Sequence, residues 1–555
     1  NVSAELSEGL LTLEKGSGFF LVTKEGTAGR IGGDISLNVD GVSLEGDLQF
    51  ELNETTKEVD ETIKIGSATL GLKLDDKQGF RVTGENMTLL AGGLSLKTDI
   101  SISETLFGEE KALKVEVTDL SIGMGGTADN PIIGAEISTA EFFFLKNGMV
   151  GNVAITPVLN VDGVNLDLGD RDGYFEINTT PKEPAKPDFK NLIPNTTRLK
   201  LEGVRLSVLG QVIEGNFFFE ESIATDGSKI VRASATGVNV TLGTNEAGLR
   251  LANGRGFFLI TAAGFAAEIE SEVKVLTSSE FRLEGKLKLQ INTLLQKVEE
   301  EFLIGPTAHR LELPSGPYVR FSGDDVALVI SGQRLSGDFI FEEIVLDADA
   351  SANAIRISAS NVRLGFGDGS RDILSLKNGE GHLLLISKTG ANSPEIWSGF
   401  AGSLTVDATT TGESSDFNFS GSLNLEFNKL GDDLENIFKT ETDPPDPPKI
   451  EIAFQKDKIT EKIELDTGSY IRAKGTNLNI EINRQQVRGT FSFEEEYKQD
   501  DEVTVFRVNF EDVELSVGDG DEEFVKISQG KGRLSIESTD EGSLNINGSF
   551  SGVVG

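Results

Sequence analysis

The chain has 555 residues, of which 38% are hydrophobic and 25% charged, so it can bury several cores and is unlike a disordered composition. Its formal net charge is −39, a field that repels phosphate backbones and anionic lipid heads and argues against nucleic acid and membrane surfaces as partners. Cysteine is absent, which excludes a disulfide framework, a thiolate metal site and a cysteine nucleophile.

Further limits follow from single residue types. Phe is the dominant aromatic, with 34 against four Tyr and one Trp. That balance suits a core, since Phe has no polar atom to satisfy, and it suits a sugar-binding platform poorly. The only histidines are His309 and His382, and both lie in strand-like text, AHRLEL and GHLLLI, without a nucleophile elbow. No apolar run reaches the roughly 18 residues of a spanning helix. The opening NVSAELSEGLL has no basic and apolar leader pattern.

In chain order, four markers recur. The first is a Gly-x-Gly turn leading into an apolar strand, after Lys15, Asn253, Asn378 and Gln529, with STAEFFFL from Ser138 in the second place. The second is a strand ending at Asn53, Asn178, Asn292 and Asn428. The third is a strand that turns at Gly84, Gly203, Gly323 and Gly475. The fourth is a strand pair ending at Gly123, Gly243, Gly367 and Gly518. Between the third and fourth runs a fixed phrase, fullest as GQRLSGDFIFEE over 332–343. Its lead glycines are read as Gly92, Gly215, Gly337 and Gly489. The spacings are then 215 − 92 = 123, 337 − 215 = 122 and 489 − 337 = 152 residues.

Nearly every marker alternates apolar and polar residues between Gly, Asn, Asp or Ser, the pattern of short strands joined by tight turns. Helical periodicity is confined to 294–301 (LLQKVEEE) and 432–439 (DDLENIFK), where a turn or two of helix is expected. The fold class is therefore all-β: a tandem antiparallel repeat array of elongated, sandwich- or solenoid-like units. The expected repeats are 1–125, 126–243, 244–367 and 368–518, the last with a Pro-rich insertion, and 519–555 starts a fifth. The segment after the second marker varies most, with PKEPAKPDF from Pro181 and TETDPPDPP ending at Pro448. Proline cannot donate to a ladder, so these are read as loops protruding from the sheet. Both ends of the sequence interrupt a unit, which predicts a window from a longer array or ends completed by neighbours.

Candidate chemistry is sparse. The Asp-rich turns at Asp324 and Asp325, Asp368 and Asp372, and Asp519 and Asp521 offer closely spaced oxygens in Gly-containing loops, the donor type that calcium requires. The competing reading is a hairpin turn. Paired glutamates such as Glu342–Glu343 and Glu494–Glu495 recur within the repeated phrase, and a recurring phrase points to strand-end solvation rather than to an active site. No phosphate-cradling glycine loop precedes a helix. Asn-x-Ser/Thr occurs at eight positions, of which Asn178 and Asn195 are expected in loops and open to glycosylation.

The order of these phrases resembles tandem β repeats of very large secreted or surface proteins of bacteria, over essentially the whole chain. The resemblance implies an extracellular adhesive or scaffolding role without a catalytic residue. The first expectation is a structural, non-enzymatic repeat protein of a surface fibre, filament, adhesin stalk or matrix, partnered by neighbouring repeats or copies. The second is a lipid-carrying β-groove resembling AsmA-like bridge proteins, which would leave the face of Phe217, Phe219, Phe339, Phe341, Phe491 and Phe493 uncovered. A polysaccharide-binding module is the third.

Overall fold

The structure is a computed structural model. It describes residues 2–554 apart from 56, 67, 77–78, 128, 225, 244–247, 276–280, 305–306, 331–332, 347–352, 368–371, 390–395, 411–416, 441–447, 457–458, 483–484, 499–502, 519–522 and 539–543. Strands make up 80% of the residues and helix 2%, with 31 strands in one antiparallel sheet. The chain is all-β. It divides into two compact units, one of Asn1–Val238, Arg255–Glu268 and Ile291–Tyr318, the other of Asn239–Gly254, Ile269–Gln290 and Val319–Gly555.

One order of six strands recurs along the chain. It is first Leu11–Val22, Thr27–Leu37, Leu48–Asn53, Gly79–Ala91, Leu94–Phe107 and Glu110–Gly126. It returns as Pro131–Leu145, Gly148–Ile155, Gly173–Asn178, Thr196–Val208, Gln211–Ile223 and Lys229–Gly243. The third round is Gly248–Thr261, Gly264–Val275, Lys286–Asn292, Tyr318–Ile330, Gln333–Val345 and Asn353–Gly367. The fourth is Asp372–Thr389, Ile396–Thr410, Phe417–Lys429, Tyr470–Ile482, Gln485–Lys498 and Val503–Gly518. Glu523–Ser538 and Leu544–Val554 follow.

The glycine markers are not turns. The first, third and fourth markers lie inside long strands, at residues with positive φ: Lys15, Asn86, Asp119, Asn253, Asp325, Asn361, Asn378, Asn477, Asp512 and Gln529, with Gly203 and Gly237 in the same role. The ladder slips by one residue at these places, for example between Gly84 and Met87, Leu201 and Val204, Gly323 and Val326, and Gly475 and Leu478. These are β-bulges, each adding one residue to one strand. Their effect is visible in the burial. On one face of Glu110–Gly126 the buried side chains are Leu113, Val115 and Val117 before the bulge and Leu120, Ile122 and Met124 after it. The extra residue, Asp119, switches the alternation from odd to even and keeps one face apolar along 17 residues. What reads as a strand pair in the sequence is thus a single bulged strand.

The recurring phrase also shifts in its first copy. Gly215, Gly337 and Gly489 sit opposite Val204, Val326 and Leu478 just past a bulge. In the first round that place belongs to Thr98, opposite Met87, while Gly92 lies in the turn between two strands. The first spacing is therefore 215 − 98 = 117 residues. Gly337 is required because a Cβ there would meet the Ser360 carbonyl oxygen at 2.9 Å.

Where they are described, the segments after the second marker fold back onto the sheet's second face rather than protrude; residues 441–447, most of TETDPPDPP, lie outside the described residues. Val59, Leu72 and Leu74 of the hairpin Val59–Ile65/Ala68–Leu74 pack with Ala28. In the second round Phe189 and Leu192, beside the short 3-10 turn Pro187–Phe189, pack with Phe107, Ala112, Phe143 and Val150. Val298, Leu311 and Leu313 of Val298–Ile304/Thr307–Leu313 cover Ile230, Leu259 and Ala266. The fourth and largest insert adds the helix Asp432–Phe438 and the strands Lys439–Thr440, Lys449–Lys456 and Ile459–Asp466 over Ala354, Leu384, Ile386 and Ala401. Of the expected helical stretch 432–439, Asp432–Phe438 is helical, whereas 294–301 is bend and strand. There the apolar residues Val298, Leu311 and Leu313 satisfy a two-residue period facing the sheet.

On the other face the large aromatics are covered. Phe217, Phe219, Phe339, Phe341, Phe491 and Phe493 are at most 1% exposed. Phe217 lies 5.4 Å from Phe258, and Phe419 5.7 Å from Phe493, centroid to centroid. Full burial of one such side chain contributes about 1.5–3 kcal/mol.

Candidate functional site

Among the described residues, nine of the fifteen buried polar side chains gather at the foot of the inserts, with at least one in every round. The strand before every insert carries an asparagine at its last or next-to-last position, and Asn53, Asn178, Asn292 and Asn428 are 3%, 1%, 0% and 0% exposed. A buried amide must find partners or lose about 1–3 kcal/mol. Each of these finds them at the two ends of its insert. Asn53 Oδ1 accepts from the Thr55 backbone N–H at 2.9 Å, while its Nδ2 donates to the carbonyls of Lys57 at 3.1 Å and Asp75 at 2.6 Å. Asn178 repeats this with Thr180 at 3.0 Å, Lys182 at 3.1 Å and Leu192 at 3.2 Å. Asn292 does so with Leu294 at 2.9 Å, Gln296 at 3.1 Å and Pro314 at 2.6 Å. Asn428 holds Leu430 at 3.2 Å and Asp466 at 3.0 Å. One side chain therefore clamps the exit and the return of each excursion.

Two residues before each clamp stands a second polar side chain, joined to an arginine on the strand that follows the insert. Glu51 pairs with Arg81 at 3.2 Å and with Arg30 at 2.7 Å. Glu176 pairs with Arg198 at 2.6 Å, and Glu426 with Arg472 at 2.6 Å. Gln290 takes the glutamate's place in the third round and accepts from Arg320 at 2.6 Å. Arg81 and Arg472 also reach Asp75 and Asp466, each at 2.6 Å, at the return end of their inserts. Burial pushes the Asp466 carboxyl up, but the Arg472 guanidinium outweighs it and holds the group below its ordinary value. Burial beside the Glu426 carboxylate pushes the Tyr470 hydroxyl up.

The other candidates are dispersed. Asp324 and Asp325 lie on the bulge of Tyr318–Ile330, both exposed. Asp325 pairs with Arg363, and its backbone N–H donates to Asp338 Oδ1 at 2.9 Å. The expected hairpin turn is thus a bulge, for calcium and turn readings alike. Asp372 opens the strand Asp372–Thr389 and is exposed. Asp368, Asp519 and Asp521 lie outside the described residues. Among the described residues no three His, Asp or Glu side chains gather in a way that could hold a metal ion.

Glu342 pairs with Arg356, and Glu494 stands opposite Arg472 and Arg507 in the ladder. Glu342 and Glu494 thus face basic residues on adjacent strands. Asn178 is not a glycan acceptor, since it is buried with its amide engaged; Asn195 is exposed. A cleft of about 710 Å³ lies among strand ends of the first unit, but Glu221 within it is taken by Lys229 at 2.7 Å and by the Gly125 N–H at 2.9 Å.

His382 stands between Ser358, whose Oγ is 3.2 Å from Nδ1, and Glu461, whose Oε2 is 3.1 Å from Nε2. The composition resembles a hydrolytic triad, but the setting is different. Ser358 and His382 are ladder neighbours within two long strands, and Glu461 belongs to the insert above them. His309 stacks on Phe257 at 4.5 Å. Neither a known protein family nor any curated protein matches this chain.

The clamp was half legible: the four asparagines are a marker in the sequence, but their role needs the insert's return end, which lies 14 to 38 residues away. The arginine partners carry a readable signal, the arginine near the start of the strand that follows each insert, as in YIR at Tyr470 and YVR at Tyr318.

Proposed function

We propose that this chain is a structural repeat protein of an extracellular or cell-surface fibre, filament, adhesin stalk or matrix, with neighbouring repeats or copies as its partners. The observation that carries this reading is the fourfold recurrence of the clamp and its Glu/Gln–Arg brace. Buried polar residues are costly. Here they are spent on holding one excursion per repeat in place rather than converging on one cleft. Repetition of a brace multiplies mechanical attachment points, which serves a scaffold. The acidic surface keeps long copies soluble and discourages lateral collapse.

The burial of the six Phe counts against the lipid-groove alternative, because a lipid-lined face leaves its aromatics open to the ligand. Native mass spectrometry after incubation with phospholipid distinguishes the two: the structural reading expects the bare chain mass, and a stoichiometric lipid adduct supports the groove. The scarcity of Tyr and Trp likewise weighs against a polysaccharide platform.

A further inference from the structure

The two histidines belong to the same insert-to-sheet contact of successive repeats, one from each side of it. His309 lies five residues before Pro314, the return-end carbonyl of the Asn292 clamp, and Glu461 lies five residues before Asp466, the return-end carbonyl of the Asn428 clamp. On the sheet beneath, Phe257 and His382 each follow a bulge residue, Asn253 and Asn378, by four positions. Phe257–His309 and His382–Glu461 are therefore the same insert-to-sheet contact, with the imidazole on the insert in the third round and on the sheet in the fourth.

We propose that His382–Glu461 is an acid-tightened latch that sets how firmly the fourth insert is held to its sheet. Glu461 stands on Ile459–Asp466, while His382 and Ser358 stand on the sheet, so the pair joins two separate layers. Phe454 of the insert covers the ring edge-on at 5.9 Å, and the His382 and Glu461 side chains are 24% and 30% exposed. Imidazole changes charge near neutral pH, with an ordinary value of about 6.5. Protonated, His382 makes a charge-assisted contact with the Glu461 carboxylate; neutral, it loses the ionic part.

Among the described residues, the strands beside the ring contribute three more groups. Ser403 faces His382 from the strand Ile396–Thr410 and is uncharged. Glu380, two residues back on the same strand and face, adds a second carboxylate that favours the protonated ring. Arg356, two residues before Ser358, opposes protonation, but its charge is shared with Glu342. The sign follows. A histidine that gains a carboxylate partner on folding contributes stability fully present below its unfolded pKa and lost as pH rises through its folded one. The insert is held tightest in mild acid and loosens toward alkaline pH.

The test is hydrogen–deuterium exchange on the full chain between pH 5 and 8, with each amide's rate divided by its intrinsic rate at that pH. The readout is Lys449–Lys456 and Ile459–Asp466. The hairpin Val59–Ile65/Ala68–Leu74, in a repeat without histidine, serves as the reference for intact folding. Protection of the fourth insert should fall by about two- to fivefold from pH 5 to 8, the range of a partly exposed ion pair. Glu461→Gln and His382→Phe should flatten that profile while leaving the reference hairpin protected. His382→Phe mimics Phe257 and should keep the insert docked at both pH values. An unchanged pH profile in these variants, or a flat profile in the unaltered chain, overturns the latch.

Discussion

The clamp asparagine is the residue on which each insert depends most. Asn178→Ala removes the bonds to both ends of the second insert and leaves buried carbonyls without a donor. A loss of about 2–3 kcal/mol is expected, read as a lower melting temperature and faster exchange over 180–192. Asn178→Asp keeps the acceptor and removes the donor, so it should fail nearly as badly, which separates clamping from simple packing. The bulges set a second residue-scale requirement. A Cβ on Gly381 runs into the Ser403 carbonyl oxygen, and Gly18 and Gly532 meet the Arg30 and Ser549 carbonyls in the same way. Gly381→Ala should cost about 1–3 kcal/mol by overpacking, checked by thermal melting. Acid acts at Asp338, whose carboxyl is held below its ordinary value first by the Asn361 side chain and then by the Asp325 N–H. Its stabilising contribution is present above the ordinary carboxylate value of about 4 and is lost as pH falls through the lowered one. Asp338→Asn should remove an acid-sensitive part of the exchange protection at 323–326.

At the scale of elements, the strands were legible and their continuity was not. Val117 and Leu120, or Phe321, Val326 and Leu328, keep one apolar face only if the two-residue period slips by one at the intervening Gly or Asx. A slip and a turn use the same residues, because both need a left-handed backbone that Gly, Asn and Asp adopt most readily. What separates them is that the apolar alternation resumes at once and in the opposite parity. The inserts were missed for a related reason. Proline marks Pro181–Pro187 as outside a ladder, which is true of those prolines, but the apolar Phe189 and Leu192 beside them are buried, as is Ile450 after the second proline run. The fully buried alanines Ala28, Ala266 and Ala401 on the second strand of three rounds were the available cue that something covers that face. Replacing 295–313 by a short Gly-Ser turn should expose Ile230, Leu259 and Ala266. Loss of Val298, Leu311 and Leu313 alone should cost several kcal/mol, at about 1.5–3 kcal/mol each, with new binding of a hydrophobic dye as the readout.

For the molecule as a whole, the same six strands, clamp and brace recur while the insert changes from a hairpin to a 3-10 turn to a helix with three strands. Constant framework and variable insert is how a repeat array diversifies without disturbing its core. The all-β class and the recurrence were readable from Gly, Asn and alternating Phe. The clamp and the His382–Glu461 contact were not, because each joins residues tens of positions apart, such as Asn428 to Asp466. The proposed scaffold role makes a direct claim about form. Negative-stain electron microscopy of the purified chain should show slender rods of even width, or filaments of them joined end to end; compact globules with no long axis would contradict the account.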